Sequence, residues 1–316
     1  LSLGPAPRAG KRFLNPDGSR AGQSFLKLPL LLLAGRGAAW PACVPVTPRP
    51  LPEPASGEVA ITYIGHASFL IRTPGLTLLT DPIWSERASP VTWWGPKRVR
   101  APGLDFEALP RVDAVLLSHA HYDHMDKATL QALHRRDAPL IVTGLGNPAT
   151  LAGWGIPGGR ALDWGETTAL PGGASATFLP ARHFSARGPH DHSRALWGGF
   201  ALQLHADFRV CFLGDTAAGP HLARIGSECG PFDVAFIPIG AYEPRWFMHV
   251  VHMTPEDAVE AQEALGAKVA LAMHHGVFKL TQETIDEPSI RLRAARGTAD
   301  FRLPEVGETI IFHTSG

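Results

Sequence analysis

The sequence predicts an α+β protein in which two mixed β-sheets pack face to face and are covered by helices. Short apolar runs bounded by glycine, proline and aspartate recur through both halves of the chain, with helix-like stretches between them. A hydrophobic content of 45% against 18% charged residues supplies ample material for a core. No repeat of solenoid period is visible.

Residues 1–57 are rich in proline, glycine and arginine and end in PVTPRPLP at 45–52. Such a segment is extended, and is expected to form an arm that wraps the body or touches a partner. Within it, residues 25–34 (FLKLPLLLLA) are strongly apolar but carry Lys27 and Pro29. That run is about half the ~20 residues a membrane-spanning helix needs, so it reads as a docked helix or a membrane-surface element. The body, residues 58–316, opens with strands at 59–64, 68–72 and 76–80, broken at Gly65 and Pro74-Gly75 as a β-meander. The apolar run at 112–117 suits a strand buried on both faces. Asp126 is placed to cap a helix to about Arg136, with Leu130 and Leu133 inward. Further strands are expected at 141–143, 175–179, 197–204, 209–213, 234–238, 269–273 and 309–313. Thr254-Pro255-Glu256-Asp257 starts a helix that runs to Leu265 and stops at Gly266.

Formal charge is zero, from 29 basic and 29 acidic residues, which removes the electrostatic case for nucleic acid. Membrane contact through an apolar patch stays open. Cys43, Cys211 and Cys229 are odd in number and far apart, which excludes a disulfide framework and a thiolate zinc site; Cys211 reads as a core residue. With Leu1 as first residue the natural start is open, and the expected location is cytoplasmic or peripheral to a membrane, with no transmembrane span.

The densest chemical signal is His119-Ala120-His121-Tyr122-Asp123-His124, launched from the run at 112–117. Imidazole and carboxylate are ligands zinc accepts, at about 2.0–2.2 Å, when a rigid support makes them converge. Alternation aims His119 and His121 to one side, and the following turn brings Asp123 and His124 to a second point close by. The pattern predicts a metal site, and a two-metal site. Three more polar residues sit just past expected strands: His183, Asp215 and His274. Strands ending at one edge deliver such side chains to a common point.

The order HxHxDH, His, Asp, His resembles the metallo-β-lactamase superfamily, whose members share an αββα sandwich with a dinuclear site at one edge. Residues 79–90 (LTDPIWSERASP), 95–98 (GPKR), 195–199 (ALWGG), 230–233 (GPFD) and 238–248 (PIGAYEPRWFM) narrow the resemblance. They are similar to the N-acylphosphatidylethanolamine-hydrolysing phospholipase D family and its bacterial relatives. The resemblance implies that His119, His121 and His183 bind one metal, that Asp123, His124 and His274 bind a second, and that Asp215 bridges them. Two Zn2+ are implied, although His/Asp donors accept other divalent metals. Asp81, in Thr80-Asp81-Pro82, would support the site from behind, and His66 would stand beside it. Asp215, Asp123 and His252 would take a direct part in catalysis, with His252 donating a proton to the leaving oxygen or binding phosphate. Ala120, Gly165, Ala217-Ala218, Val251 and His275 depart from the family's usual residues; none removes a ligand, but the resemblance implies that they would touch the pocket walls.

A hydroxide held between two metals is a nucleophile at neutral pH. The implied reaction is attack on the phosphorus of N-acylphosphatidylethanolamine, releasing N-acylethanolamine and leaving phosphatidate, with Asp215 orienting the nucleophile. The alternative keeps fold and metals but takes a soluble lactone or phosphate ester; a silent metal-binding protein is a third reading. Trp93-Trp94 is the candidate membrane contact, while Trp246 and Phe247 line the site or fill the core. Residues 25–34 would wall an acyl-chain groove. His190 and His192 read as surface histidines, and His275 should face away from the metals. Relatives often pair, so a homodimer is an available state.

Overall fold

In the computed structural model, residues 3–23, 30, 35, 37–205 and 207–314 are described. In the N-terminal arm, β1 (Arg8–Ala9) and β2 (Arg12–Phe13) form a small antiparallel pair. Leu3, Ala6, Phe13 and Ala21 from this arm are buried against the body. The apolar run at 25–34 lies outside the described residues, apart from Leu30.

The body opens with the expected meander, β3 (Glu58–Gly65), β4 (Ser68–Thr73) and β5 (Leu76–Thr80). Parallel strands β6 (Ala114–Leu117), β7 (Leu140–Gly144) and β8 (Arg160–Leu162) follow. Their crossovers carry helices α1 (Lys127–Asp137) and α2 (Asn147–Gly153). The second sheet begins with β9 (Thr167–Ala169), then β10 (Ser175–Leu179), β11 (Gly199–His205) and β12 (Phe208–Phe212), all antiparallel. Parallel strands β13 (Phe232–Pro238), β14 (Ala267–Met273) and β15 (Phe301–Arg302) complete it. Between them run α3 (His221–Cys229), α4 (Arg245–Met248), α5 (Pro255–Leu265) and α6 (Glu287–Ala295). Strand β16 (Thr309–His313) returns beside β3. The stretches β3–β8 and β10–β15 repeat one pairing scheme, an antiparallel meander continued by parallel strands.

The two sheets bury their facing sides together, with Ile61, Phe69, Ile71 and Leu116 against Phe200, Phe212, Phe236 and Leu271. Phe69 stacks on Phe236 with ring centroids 4.0 Å apart. The outer face of the first sheet packs on Leu130 and Leu133 of α1 and Leu151 of α2. The outer face of the second packs on Leu222 and Ile225 of α3, Ala258 and Ala261 of α5 and Leu292 of α6. The layers are therefore α, β, β, α, as expected.

Two local expectations need correction. Asp126 does sit at the N-cap of α1, but its side chain does not cap the helix. Its carboxylate instead accepts from the Ser85 hydroxyl at 2.8 Å and from Thr129 Oγ1 at 2.6 Å, tying the loop after β5 to the helix. The strand expected from 197 begins at Gly199, opposite Leu179, because the Gly198 N–H donates to the Ser118 carbonyl at 3.1 Å and the Trp197 carbonyl accepts from the Trp164 indole at 2.8 Å, outside the ladder. A Cβ on Gly199 would lie 2.3 Å from the Phe212 carbonyl oxygen.

The start of α5 follows the sequence signal in full: Asp257 N–H donates to Thr254 Oγ1, Thr254 N–H donates to Asp257 Oδ2, and Gly266 ends the helix in the left-handed region. Thr254→Ala should lower unfolding free energy by about 1 kcal/mol, and Thr254→Ser should recover most of it, as measured by urea denaturation.

Candidate metal centre

Strands β5, β6, β10, β12 and β14 all end at one edge of the sandwich, and the residue or short loop after each turns inward there. Asp81 follows β5, the cluster from His119 to His124 follows β6, His183 follows β10, Asp215 follows β12 and His274 follows β14. The structure brings together all seven candidate ligands.

They form two overlapping groups. His121 Nδ1 lies 2.8 Å from His119 Nε2 and 3.2 Å from His183 Nε2. Asp215 Oδ2 stands 3.9 Å from His119 Nε2 and 3.7 Å from His183 Nε2. The same oxygen lies 3.2 Å from His124 Nε2 and 3.1 Å from His274 Nε2, and Asp123 Oδ2 is 3.4 Å from each of those nitrogens. Asp215 therefore faces both groups. Nitrogens and oxygens converging this closely fit a cation at each centre. His124 Nε2, His274 Nε2 and Asp215 Oδ1 are buried there without any hydrogen-bond partner.

Contacts behind the ligands set their orientation. Asp81 is fully buried and accepts from Ser118 N–H at 2.7 Å, from the Ser118 hydroxyl at 2.5 Å and from His124 Nδ1 at 2.7 Å. With its proton on Asp81, the Ser118 hydroxyl accepts from His119 Nδ1 at 2.8 Å. His183 Nδ1 donates to the Val251 carbonyl at 3.0 Å. Three histidines thus spend the outer nitrogen on the protein and turn the Nε2 lone pair inward, the arrangement that metal-binding histidines use. His66 Nε2 contacts Asp123 Oδ2 at 2.9 Å. His66, Asp81 and His274 all have left-handed backbone, with φ of 59°, 31° and 61°. Such conformations cost non-glycine residues energy and concentrate where a site dictates the geometry. Gly240 allows the close approach behind His274, since a Cβ there would meet its carbonyl oxygen at 2.2 Å.

The electrostatics divide the groups. Burial drives His121 down to about 3, His183 to about 4 and His119 well below its ordinary value, so these three are neutral lone-pair donors at pH 7. Burial opposes charge on His124 and His274 too. Asp215 and Asp123 nevertheless lift His124 well above its usual range and His274 to about 9. Against burial, His124 and His274 hold both carboxylates well below the ordinary range. Burial brings His66 to about 4 and also keeps His252 well below its usual value.

A cavity of ≈ 290 Å³ opens onto this cluster. His121, Asp123, His183, Asp215, His252 and His274 form its floor, with Phe184, Phe247, Met248, Val251 and Leu280 around them. His252 is within reach of the ligand atoms of His183 and Asp215. Phe247 lines the cavity, whereas Trp246 is 42% exposed and neither lines it nor fills the core. His192 departs from the surface reading: its ring stacks on Phe184 at 5.0 Å and it lines the cavity, while His190 is exposed. His275 lines a different cavity from His274, as expected, although both follow the end of β14 and the left-handed backbone at His274, not strand alternation, separates them. Trp93 and Trp94 are 77% and 68% exposed.

Two positioning residues escape the sequence pattern. Arg187 donates to the carbonyls of Ala120 and Met125, both at 2.8 Å, and its guanidinium lies 4.0 Å over the Tyr122 ring. It thereby braces the His119–His124 loop from the other half of the chain. Arg245 donates to the His252 carbonyl at 2.8 Å and pairs with Asp257 at 2.7 Å, fixing the turn that holds His183 through Val251. Nothing in the spacing of either arginine marks it; only the fold brings them to the site.

Residues 77–275 match the family described as Beta-lactamase superfamily domain. The N-acyl-phosphatidylethanolamine-hydrolyzing phospholipase D 1 of Caenorhabditis elegans is 37% identical over 243 residues, covering 73% of this chain and 68% of that protein. The mitochondrial N-acyl-phosphatidylethanolamine-hydrolyzing phospholipase D of Saccharomyces cerevisiae is 30% identical, covering 79% of this chain and 55% of that protein. Among solved structures, a metallo hydrolase from the archaeon Ignicoccus hospitalis superposes with a TM-score of 0.63 at 25% identity, over 82% of this chain and all of that one.

Asp81→Ala removes the acceptor shared by Ser118 and His124. It should lower metal affinity by about 10–100-fold, measured by competition with a chelator, while circular dichroism shows the fold retained.

Proposed function

The chain belongs to the beta-lactamase superfamily and, within it, to the family of the N-acylphosphatidylethanolamine-hydrolysing phospholipases D. On that premise we propose that this metal-dependent hydrolase is a dinuclear zinc phosphodiesterase cleaving N-acylphosphatidylethanolamine to N-acylethanolamine and phosphatidate. His119, His121 and His183 would hold one ion, Asp123, His124 and His274 the other, and Asp215 would bridge them.

The observation that carries the lipid reading is the apolar wall set directly over a polar, ligand-bearing floor. A phosphodiester can meet that floor while a hydrocarbon chain lies along Phe184, Phe247, Met248 and Leu280. A second cavity, of ≈ 660 Å³, shares Gln23 and His192 with the first and adds Arg12 and Arg20, providing room for further chain and positive charge near the mouth. Exposed Trp93 and Trp94 suit contact with a bilayer surface. Among the described residues no helix is long and apolar enough to cross a membrane.

Bound divalent ions would supply a nucleophile at neutral pH and polarise a phosphoryl oxygen. The chain's own residues do the rest. Asp215 orients the attacking water, placed as it is between both groups of nitrogens. His66 holds the Asp123 carboxylate from behind. His252, kept neutral by burial, hydrogen-bonds the leaving or phosphoryl oxygen from the cavity floor. The bond between phosphorus and the ethanolamine oxygen breaks, the water's hydroxyl joins phosphorus, and the leaving oxygen takes the proton that the water gave up.

Zinc-loaded protein incubated with N-acylphosphatidylethanolamine vesicles in ¹⁸O-labelled water should give labelled phosphatidate and unlabelled N-acylethanolamine by mass spectrometry. No turnover with both metals bound would reject the lipid and transfer the hydrolase to a soluble ester or lactone. His252→Gln should lower kcat by about 10²-fold or more with metal content unchanged. Asp215→Ala should lose both activity and bound metal, counted by mass spectrometry of the metal.

A further inference from the structure

A separate cavity of ≈ 610 Å³ is lined by His275, whereas the metal-side cavity is lined by its neighbour His274. None of the candidate metal ligands lines it. Arg100, Arg293 and His275 face it together, with apolar walls from Val44, Ile285 and Leu303. Its size falls within the range of about 300–1,000 Å³ typical of small-molecule sites.

Its polar groups are donors in search of an acceptor. His275 Nε2 is buried and has no hydrogen-bond partner. The hydrogen bonds of the two arginines go to neutral groups, Arg100 to the Gly276 carbonyl and Arg293 to the Ser289 hydroxyl at 3.4 Å. Neither arginine forms an ion pair among the described residues. Two carboxylates also line the cavity: Glu305 is already paired with Arg49, and Asp286 remains. Among the described residues, three guanidinium groups therefore face two carboxylates. An imidazole can carry its proton on Nε2 and offer it to an acceptor in the cavity. Arg100 is also pinned. Gly276 has φ +68°, and a Cβ there would lie 2.6 Å from Arg100 Nη1, so the guanidinium approaches a backbone that only glycine leaves bare.

We propose that this cavity is a second ligand site, taking an organic oxyanion with a short apolar body. The oxyanion head, a carboxylate or a phosphate monoester, lies between Arg100, Arg293 and the Nε2–H of His275, and the apolar part lies against Val44, Ile285 and Leu303. Guanidinium forks suit both heads, because each offers two oxygens in the spacing the fork presents. The site is independent of the phosphodiesterase reading, since it shares no lining residue with the metal-side cavity.

The test is calorimetric titration of the metal-loaded protein with hexyl phosphate and, separately, with hexanoate. The same titrations on Asp215→Ala remove the metal cluster as a competing anion site. One saturable site should persist in both proteins for at least one probe, and the probe that binds identifies the head. Arg293→Gln, on the exposed side of α6, should weaken it about tenfold with an unchanged melting temperature, and Arg100→Gln/Arg293→Gln should abolish it. Absence of saturable binding by either probe overturns the proposal. Binding that disappears in Asp215→Ala but survives in the arginine variants overturns it equally, because the anion would then sit on the metals.

Discussion

The buried carboxylate of Asp81 is the constraint on which the rest of the site depends. Asp81 N–H donates to the Leu116 carbonyl at 3.0 Å, one residue past the last paired position of β5, so the ladder between β5 and β6 ends at this residue. Its side chain then takes three donors from the segment that follows β6: the Ser118 amide, the Ser118 hydroxyl and His124 Nδ1. One anchor therefore orients His124 directly and His119 through Ser118, a nitrogen from each of the two groups. A buried donor left without its acceptor costs about 1–3 kcal/mol, and Asp81 answers for three of them. The left-handed backbone at Asp81 is tolerable because these bonds over-determine it.

Much of this centre could be read along the chain, for a physical reason. Four ligands lie within six residues after β6, so their proximity is covalent and needs no knowledge of the fold. His183, Asp215 and His274 were legible because each follows a strand whose apolar run is unmistakable, and strands of one sheet end at a shared edge. The meander, α5 with its cap, and β10 and β16 fell where the pattern put them, since there local signals and burial agree. The rest depends on tertiary context. Helix α4 has four residues and β8 and β9 three each, too short for any periodicity to declare itself. Asp126 has the position of a cap, yet Ser85, forty-one residues upstream in the neighbouring loop, claims its carboxylate. Arg187 and His192 come from a loop whose composition carries no signal, and acquire meaning only when the second sheet folds onto the first.

Chemistry and selectivity are built from different materials here. The floor is made of short, strained segments at strand ends, held by buried hydrogen bonds. The walls come from α4, the loop before it and the segment around Leu280. Glu283 joins these pieces, accepting from the Ala241 amide at 2.6 Å, the Glu243 amide at 3.3 Å and the Thr281 hydroxyl at 2.5 Å, while its carbonyl takes the Trp40 indole at 2.9 Å. Wall residues can thus change without touching a ligand, which is how one superfamily fold serves many substrates.

The ligands also arrive in a fixed order along the chain. Those of the first sheet precede His183, Asp215 and His274, which the second sheet supplies. During synthesis the leading histidines emerge long before the partners that complete their coordination. A nascent chain at that stage offers only the His119–His124 cluster, without the donors of His183, Asp215 and His274 that complete the two groups. The donor set is complete only when the second sheet docks, so an ion bound there would join donors from both sheets and add its binding free energy to their association.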